Sequence, residues 1–395
     1  MQKVSNRLTK FSILLVSVIT ASAPAINANI PALARAFPTI PLSQVELLTT
    51  IPSFFLMLSI LFSGWVAQKI GLKQTVMLGV TITAVAGLTP VFTNSFGLIL
   101  ISRAAFGLGV GLFNSLLVTI ISSFYGGQER SKLIGFQSIF EGLGGVLVTF
   151  IAGQLMNLGW HASFWAYLIT IPALVFFMLF VPKIPTVKNN VETEKDLPKV
   201  PLFNGRLISL LILTFIVVSL YMIMGIKVPT LMVNSGYGTT TSASYVILAL
   251  SLGSMTGGAI FGKLYDLVKN YVIVFGFGSL AIAMALIALS NTTVLTILGG
   301  FLTGLGFRLY IPWALNIVNM GGKGNPWATS FILMSYNLAG SLAPYTALLL
   351  QSVFKIKQLR SIFWMNTIAY LIIAVMVVLL LVGFKRFHRR TLDEV

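Results

Sequence analysis

The hexapeptide GLGVGL at Gly107–Leu112 returns almost unchanged as GLGFRL at Gly304–Leu309, an offset of 304 − 107 = 197 residues. Three further pairs keep step with it. NIPAL from Asn29 matches KVPTL from Lys227 at 227 − 29 = 198, and GWVAQK from Gly64 matches GKLYDL from Gly262 at 262 − 64 = 198. The Phe-Trp pair at Phe164 recurs at Phe363, an offset of 363 − 164 = 199. Four matches in one order, at a nearly constant offset, describe two copies of one unit, each about half of the 395 residues.

Composition says what each copy contains. The chain is 56% hydrophobic and 9% charged, whereas soluble globular chains carry about a quarter charged residues. Its apolar residues gather in runs of roughly 20, the length that crosses a bilayer as a helix. The apolar/polar alternation of a membrane β-barrel is not the pattern seen. Hydropathy predicts about twelve spans, at 11–37, 46–68, 74–93, 96–124, 132–157, 162–181, 207–233, 241–265, 271–290, 293–320, 327–354 and 360–384. The expected fold is all-α integral membrane, two six-helix bundles over 1–181 and 207–384, with a linker over 182–206 and a basic tail over 385–395. The linker stretch PKIPTVKNNVETEKDLPKVP (Pro182–Pro201) is polar, charged and proline-rich, as connecting segments are.

The formal net charge is +17. In a soluble protein that would point to nucleic acid, but here topology explains it, and no nucleic-acid partner is expected. Lys3, Arg7 and Lys10 precede the first span; Lys69, Lys73, Arg130, Lys132, Lys183, Lys188, Lys195, Lys199, Lys263, Lys269, Lys323, Lys385, Arg386, Arg389 and Arg390 fall on the same side. Only Arg35, Lys355, Lys357 and Arg360 lie opposite. The positive-inside rule then puts both termini in the cytoplasm, and a bacterial-type plasma membrane is expected. The long first span reads as a membrane helix and not a cleaved signal. Cysteine is absent, and His161 and His388 are the two histidines, so disulfides, metal clusters and cofactors are not expected.

GWVAQKIGLKQTVMLG (Gly64–Gly79) resembles the loop between the second and third helices of the major facilitator superfamily, with Gly64, Gly71, Lys69 and Lys73 in place and Gln68 where the family has an acid. The second copy, GKLYDLVK, keeps that acid as Asp266. SRAAFGLGVG (Ser102–Gly111) resembles the family's helix-four arginine motif, with Arg103 as the arginine. The resemblance covers essentially the whole chain. It implies parallel six-helix repeats around a central substrate path, and gating roles for Asp266, Lys69 and Lys73 on the cytoplasmic side; plain positive-inside topology also accounts for these lysines. The large proton–drug antiporter branch has an acid where this chain has Ser22, and a Gly-Pro pair in helix five where EGLGGVLVTFIAG (Glu141–Gly153) has glycines alone. IPALARAFPTIPLSQVELLTTIPS (Ile30–Ser53) is distantly similar to bacterial permeases for cyanate-like and bile-salt-like anions.

Four ionisable residues fall well inside the predicted spans: Arg103, Glu141, Lys227 and Arg308. Charge at that depth is costly and normally faces a cavity or a partner. Arg308 lies roughly 25 Å from Asn291 and about 22 Å from Lys323 along its helix, beyond snorkelling reach. Arg103 and Glu141 reach similar depth and form either an internal ion pair or, separately, a substrate contact and a proton-coupling site. Lys227 lines the path or snorkels to the outer interface; its repeat partner is the polar Asn29. The resemblance implies that helices one, four, seven and ten line the path, which adds Asn29 and Asn114 to Arg103, Lys227 and Arg308. Tyr310, Trp313, Tyr336 and Asn337 are further candidates for its wall, with Tyr221 and Tyr245, though aromatic residues at this depth also serve as packing.

These features point to a secondary transporter for an amphipathic organic anion bearing a carboxylate or sulfonate, because arginine grips such groups through two parallel hydrogen bonds. The alternative is a multidrug exporter driven by protons, with Glu141 as its membrane acid. A receptor would need a large soluble domain, and an enzyme a catalytic or phosphate-binding constellation such as G-x-x-x-x-G-K-[ST]. The expected partners are the anion, the bilayer and a proton or counter-anion, with the protein a monomer.

Overall fold

The computed structural model describes residues 7–182, 205–319 and 326–393. Lys3, the linker lysines Lys183, Lys188, Lys195 and Lys199, and Lys323 lie outside the described residues, as do the side chains of Arg206, Lys385, Arg386, His388, Arg389 and Arg390.

Every predicted span is a helix. The first is broken in two places, into α1 (Arg7–Thr20), a 3-10 segment (Ala23–Asn29) and α2 (Ile30–Ala36). Pro24 and Pro31 are the cause, since each removes a backbone donor and crowds the preceding turn. Then follow α3 (Leu42–Ile70), α4 (Leu72–Leu88), α5 (Phe96–Phe124) and α6 (Gly127–Leu155). The sixth span begins as a 3-10 segment (Ala162–Ile169) and continues as α7 (Thr170–Phe180). The second copy comprises α8 (Gly205–Asn234), α9 (Thr240–Val268), α10 (Val272–Leu289), α11 (Thr293–Asn319), α12 (Pro326–Val353) and α13 (Leu359–Asp393).

Among the described residues ten stretches are long and apolar enough to cross a membrane. One of them, Thr240–Leu289, contains both α9 and α10, and α12 is long enough but more polar. The count of spans is therefore 10 + 1 + 1 = 12. Helix α13 runs to Asp393, past the expected end at 384. No proline or glycine interrupts FKRFHRRTLD, and basic residues at a helix C-terminus favour its dipole.

Local signals set several ends. Ser95 caps α5 by accepting from the Leu98 amide, and Thr239 and Ser242 form a reciprocal capping box at α9, each satisfying otherwise orphaned amides. Gly71, at φ +94°, turns the chain from α3 into α4, a conformation that side-chain-bearing residues rarely adopt.

Contacts divide the chain into two compact units, Met1–Asn204 with Asn337–Pro344, and Gly205–Tyr336 with Tyr345–Val395. In the first, α5 packs on α3 and α4, and α1 on α6 and α7; in the second, α11 packs on α9 and α10, and α10 on α13. The repeat reaches the level of single atoms. A Cβ on Gly107 would collide with the Pro52 carbonyl, and one on Gly304 with the Leu250 carbonyl. These pairs are related by 304 − 107 = 197 and 250 − 52 = 198. Small residues let two membrane helices approach this closely.

Candidate functional site

Arg308 projects from the middle of α11 and is exposed. Its stem crosses the glycine pair of α9: a Cβ on Gly257 would lie 3.1 Å from Arg308 Cβ, and one on Gly258 would lie 3.5 Å from both its Cγ and Nε. The first copy shows what is special here. Gly111, the equivalent of Arg308 by 308 − 111 = 197, sits against Ser59, the equivalent of Gly257 by 257 − 59 = 198. The small residue has moved from one helix to the other, and the volume released on α9 holds the arginine.

An aromatic group lies beside it. Tyr221 of α8 stacks on Phe307 at 3.7 Å between centroids and 10° between planes, and Phe307 is 6.1 Å from Tyr336 of α12. The Tyr221 hydroxyl lies near Ser254 of α9 and Arg308. The unit thus presents an exposed guanidinium next to a phenol and stacked rings. Among the described residues Arg308 has no salt-bridge partner. Chemically this group can take an oxyanion on its planar fork and an apolar body on its rings. Asn337 follows Tyr336 on α12 and is half-buried.

Lys227 of α8 is 4% exposed. Snorkelling requires the stem to lie along an exposed surface, so the structure disfavours that alternative. Trp313 is buried, and its Nε1 has no hydrogen-bond partner among the described residues. Tyr310 departs from expectation. It is fully buried, its hydroxyl exchanges a 2.8 Å hydrogen bond with Thr214, and its ring packs near Phe277 and Trp313. Two residues on from Arg308, it points into the bundle and is a packing residue, not part of a wall.

The first unit corrects two more expectations. Arg103 is 0% exposed. Its Nε donates to the Leu48 carbonyl at 3.1 Å, one terminal nitrogen to the Ala23 carbonyl at 3.3 Å and the other to the Tyr167 hydroxyl at 3.4 Å. Tyr167 passes the chain on to the Ser22 carbonyl at 3.2 Å. The arginine therefore secures the break in the first span, and Glu141 is not among its partners. Asn29 is also internal, donating to the Trp160 carbonyl at 2.9 Å and Ser163 Oγ at 2.7 Å. Its amide ties that broken span to the turn before α7.

Glu141 is half-buried on α6, one turn before Gly144 and Gly145, which pack on Val18 and Ala21 of the first span. Asn114 is half-buried on α5, 11 residues from Arg103, or roughly 16 Å along the helix, so these two are not brought together. Of the gating candidates, Lys69 stands 3.8 Å over the Trp65 ring, Lys73 donates to the Met178 carbonyl at 2.7 Å, and Asp266 lies 3.8 Å from Lys269 one turn on. Sequence reading missed Glu46, which is 0% exposed. It stood at the edge of the predicted span, but α3 starts four residues earlier and carries it a full turn inward. Of the set supporting Arg308, Ser254, Gly257 and Gly258 lie in GSMTGGAIFG (Gly253–Gly262), whose small-xxx-small spacings predict close helix packing, while Phe307 was not singled out; the further signal available was the exchange of glycine positions between the two copies.

A family model described as Major Facilitator Superfamily matches residues 11–321. A "Protein TsgA homolog" from Buchnera aphidicola subsp. Baizongia pistaciae is 22% identical over 242 residues, 60% of this chain and 61% of that protein. "Quinolone resistance protein NorB" of Staphylococcus aureus is 22% identical over 228 residues, 58% of this chain and 45% of that one. The chain thus spans about half the length of the curated relatives it matches. Among solved structures, the nucleoside transporter NupG is similar with a TM-score of 0.77 at 12% identity, over 94% of this chain and 99% of that one. The xylose transporter XylE from E. coli gives 0.69 at 14%, over 95% and 97%.

Proposed function

Since the chain belongs to the Major Facilitator Superfamily, we propose that it is a secondary transporter, not an enzyme, that moves a small amphipathic organic anion across the membrane by alternating access. The anion carries a carboxylate or sulfonate. Arg308 is the observation that carries this reading. An arginine at the middle of a membrane helix is tolerated only beside a partner or water. This one is exposed, seated on two glycines and flanked by the Tyr221–Phe307 stack. A protein does not expose such a group to hydrocarbon, so we assign it to the aqueous substrate path. Lys227, Trp313, Tyr336, Asn337 and Asn114 are proposed as further contacts, and Glu141 as the coupling acid. The basic loops and both termini are proposed to face the cytoplasm, with the protein a monomer in a bacterial-type plasma membrane.

The test is a melting screen on purified protein with carboxylates, sulfonates, bile salts and cationic dyes. A ligand present at about 100 times its Kd stabilises the folded state by roughly 2.7 kcal/mol. An anion that raises the melting temperature of wild type but not of Arg308→Ala, and whose uptake into liposomes fails in that variant, supports the reading. Arg308→Lys should recover only part of the uptake, because lysine lacks the planar fork. Stabilisation by cationic dyes alone, equal in wild type and Arg308→Ala, favours instead export of hydrophobic compounds in exchange for protons. The similarity to NorB and the half-buried Glu141 are what speak for that second reading.

A further inference from the structure

We propose that the foot of α1 and α6 is a binding site for the headgroup of an anionic phospholipid. A cavity of about 450 Å³ opens there, lined by Lys10, Gln128, Glu129, Lys132, Leu133 and Phe136. Lys10 Nζ is hydrogen-bonded to the Glu129 carboxylate and lies 5.2 Å from the Tyr125 ring. Two lysines against one glutamate leave the bowl positive, and the exposed Arg130 beside it adds to that charge.

A second, independent feature says what kind of anion. Phe136, part of the cavity wall, is the first of an exposed apolar row on α6 that continues through Ile139, Leu143, Leu147 and Phe150. The spacings of three, four, four and three residues put these side chains on one face of the helix. On a membrane-crossing helix, an exposed apolar face of this length lies against acyl chains. A positive bowl with room for a whole headgroup, at the foot of an acyl-chain track, has the two-part character of a lipid, and free phosphate would use only one part. Basic pockets between helices at the membrane surface are known to select anionic headgroups in this way. The site lies wholly within the first unit and is independent of Arg308.

The experiment reconstitutes the full chain in nanodiscs of phosphatidylcholine containing a fixed fraction of phosphatidylglycerol, and counts retained lipids by native mass spectrometry. Wild type should retain phosphatidylglycerol over phosphatidylcholine. Lys10→Gln and Lys132→Gln should each reduce that preference about fivefold, the effect of one basic residue near a membrane surface. Glu129→Gln should raise it, because it frees Lys10. Lys263→Gln, a basic residue of the second unit, should leave it unchanged, and millimolar inorganic phosphate should not displace the lipid. Equal preference in wild type and the Lys10→Gln/Lys132→Gln double variant would overturn the proposal, and so would displacement by inorganic phosphate. If the double variant does not fold, Glu129→Gln decides: a preference unchanged or reduced means the Lys10–Glu129 pair is only a structural tie.

Discussion

Arg308 lies across Gly258, close enough that a Cβ on the glycine would touch the arginine's Cγ and Nε at 3.5 Å, while Gly257 brings the two helix backbones together beneath it. The glycine pair thus does two separable things. Gly257 sets the distance between α9 and α11, and Gly258 sets where the guanidinium stem lies.

Substitutions at the two glycines should therefore fail differently. A Cβ on Gly257 would come within 2.6 Å of the Leu305 carbonyl, so Gly257→Ala should destabilise the protein by about 1–3 kcal/mol, the usual cost of overpacking. Gly258→Ala meets only ordinary van der Waals contact and should keep its melting temperature. Gly258→Leu should displace the guanidinium and reduce substrate affinity at least tenfold with little loss of folded protein. Melting curves and uptake on the same preparations separate the effects; equal loss of stability in all three variants would defeat the distinction.

Arg103→Ala should act on stability and not on substrate. It strips the donor from the buried Leu48 carbonyl, the half-buried Ala23 carbonyl and Tyr167, which should cost roughly 2–5 kcal/mol at about 1–3 kcal/mol for each stranded group. Arg103→Lys should recover little, because one ammonium cannot span three acceptors set around a plane. Tyr167→Phe should cost about 1 kcal/mol, and combined with Arg103→Ala it should be less than additive. Full stability in Arg103→Ala would return the residue to the list of substrate contacts.

Glu141→Gln should leave substrate exchange intact and abolish its response to an imposed pH gradient. Arg103 is engaged elsewhere, so the stability effects of Glu141→Gln and Arg103→Ala should add within about 0.5 kcal/mol, as for independent sites. The measurements are counterflow, gradient-driven uptake and a double-mutant cycle. Gradient-driven uptake equal to wild type would remove Glu141 from coupling.

Lys227→Gln keeps similar length and polarity but removes the charge. Affinity should weaken more for a dianion than for the matching monoanion, because Coulomb attraction scales with charge. Added salt should narrow the gap between variant and wild type if water reaches the site. Competitive uptake of paired analogues in liposomes of one composition reads the result. Unchanged affinity for both would take Lys227 off the path.

The sequence by itself determined the membrane class, the twelve spans to within about five residues at every end but that of α13, and the repeat, because helix length and apolarity are local quantities and an offset of 197 to 199 can be read without coordinates. It also singled out Arg103, Glu141, Lys227 and Arg308 as charges deep in helices, since depth along a helix is rise multiplied by residue count. Direction was not legible. Arg103 and Arg308 look alike in one dimension, each an arginine in a glycine-rich span. The tertiary structure turns Arg103 onto the carbonyls of Ala23 and Leu48 and lays Arg308 over Gly257 and Gly258. Glu46 was hidden by a four-residue difference in where α3 begins. The physical reason is common to all three: what a charge within a membrane helix does depends on the groups that neighbouring helices bring to it, and those are far away in the chain.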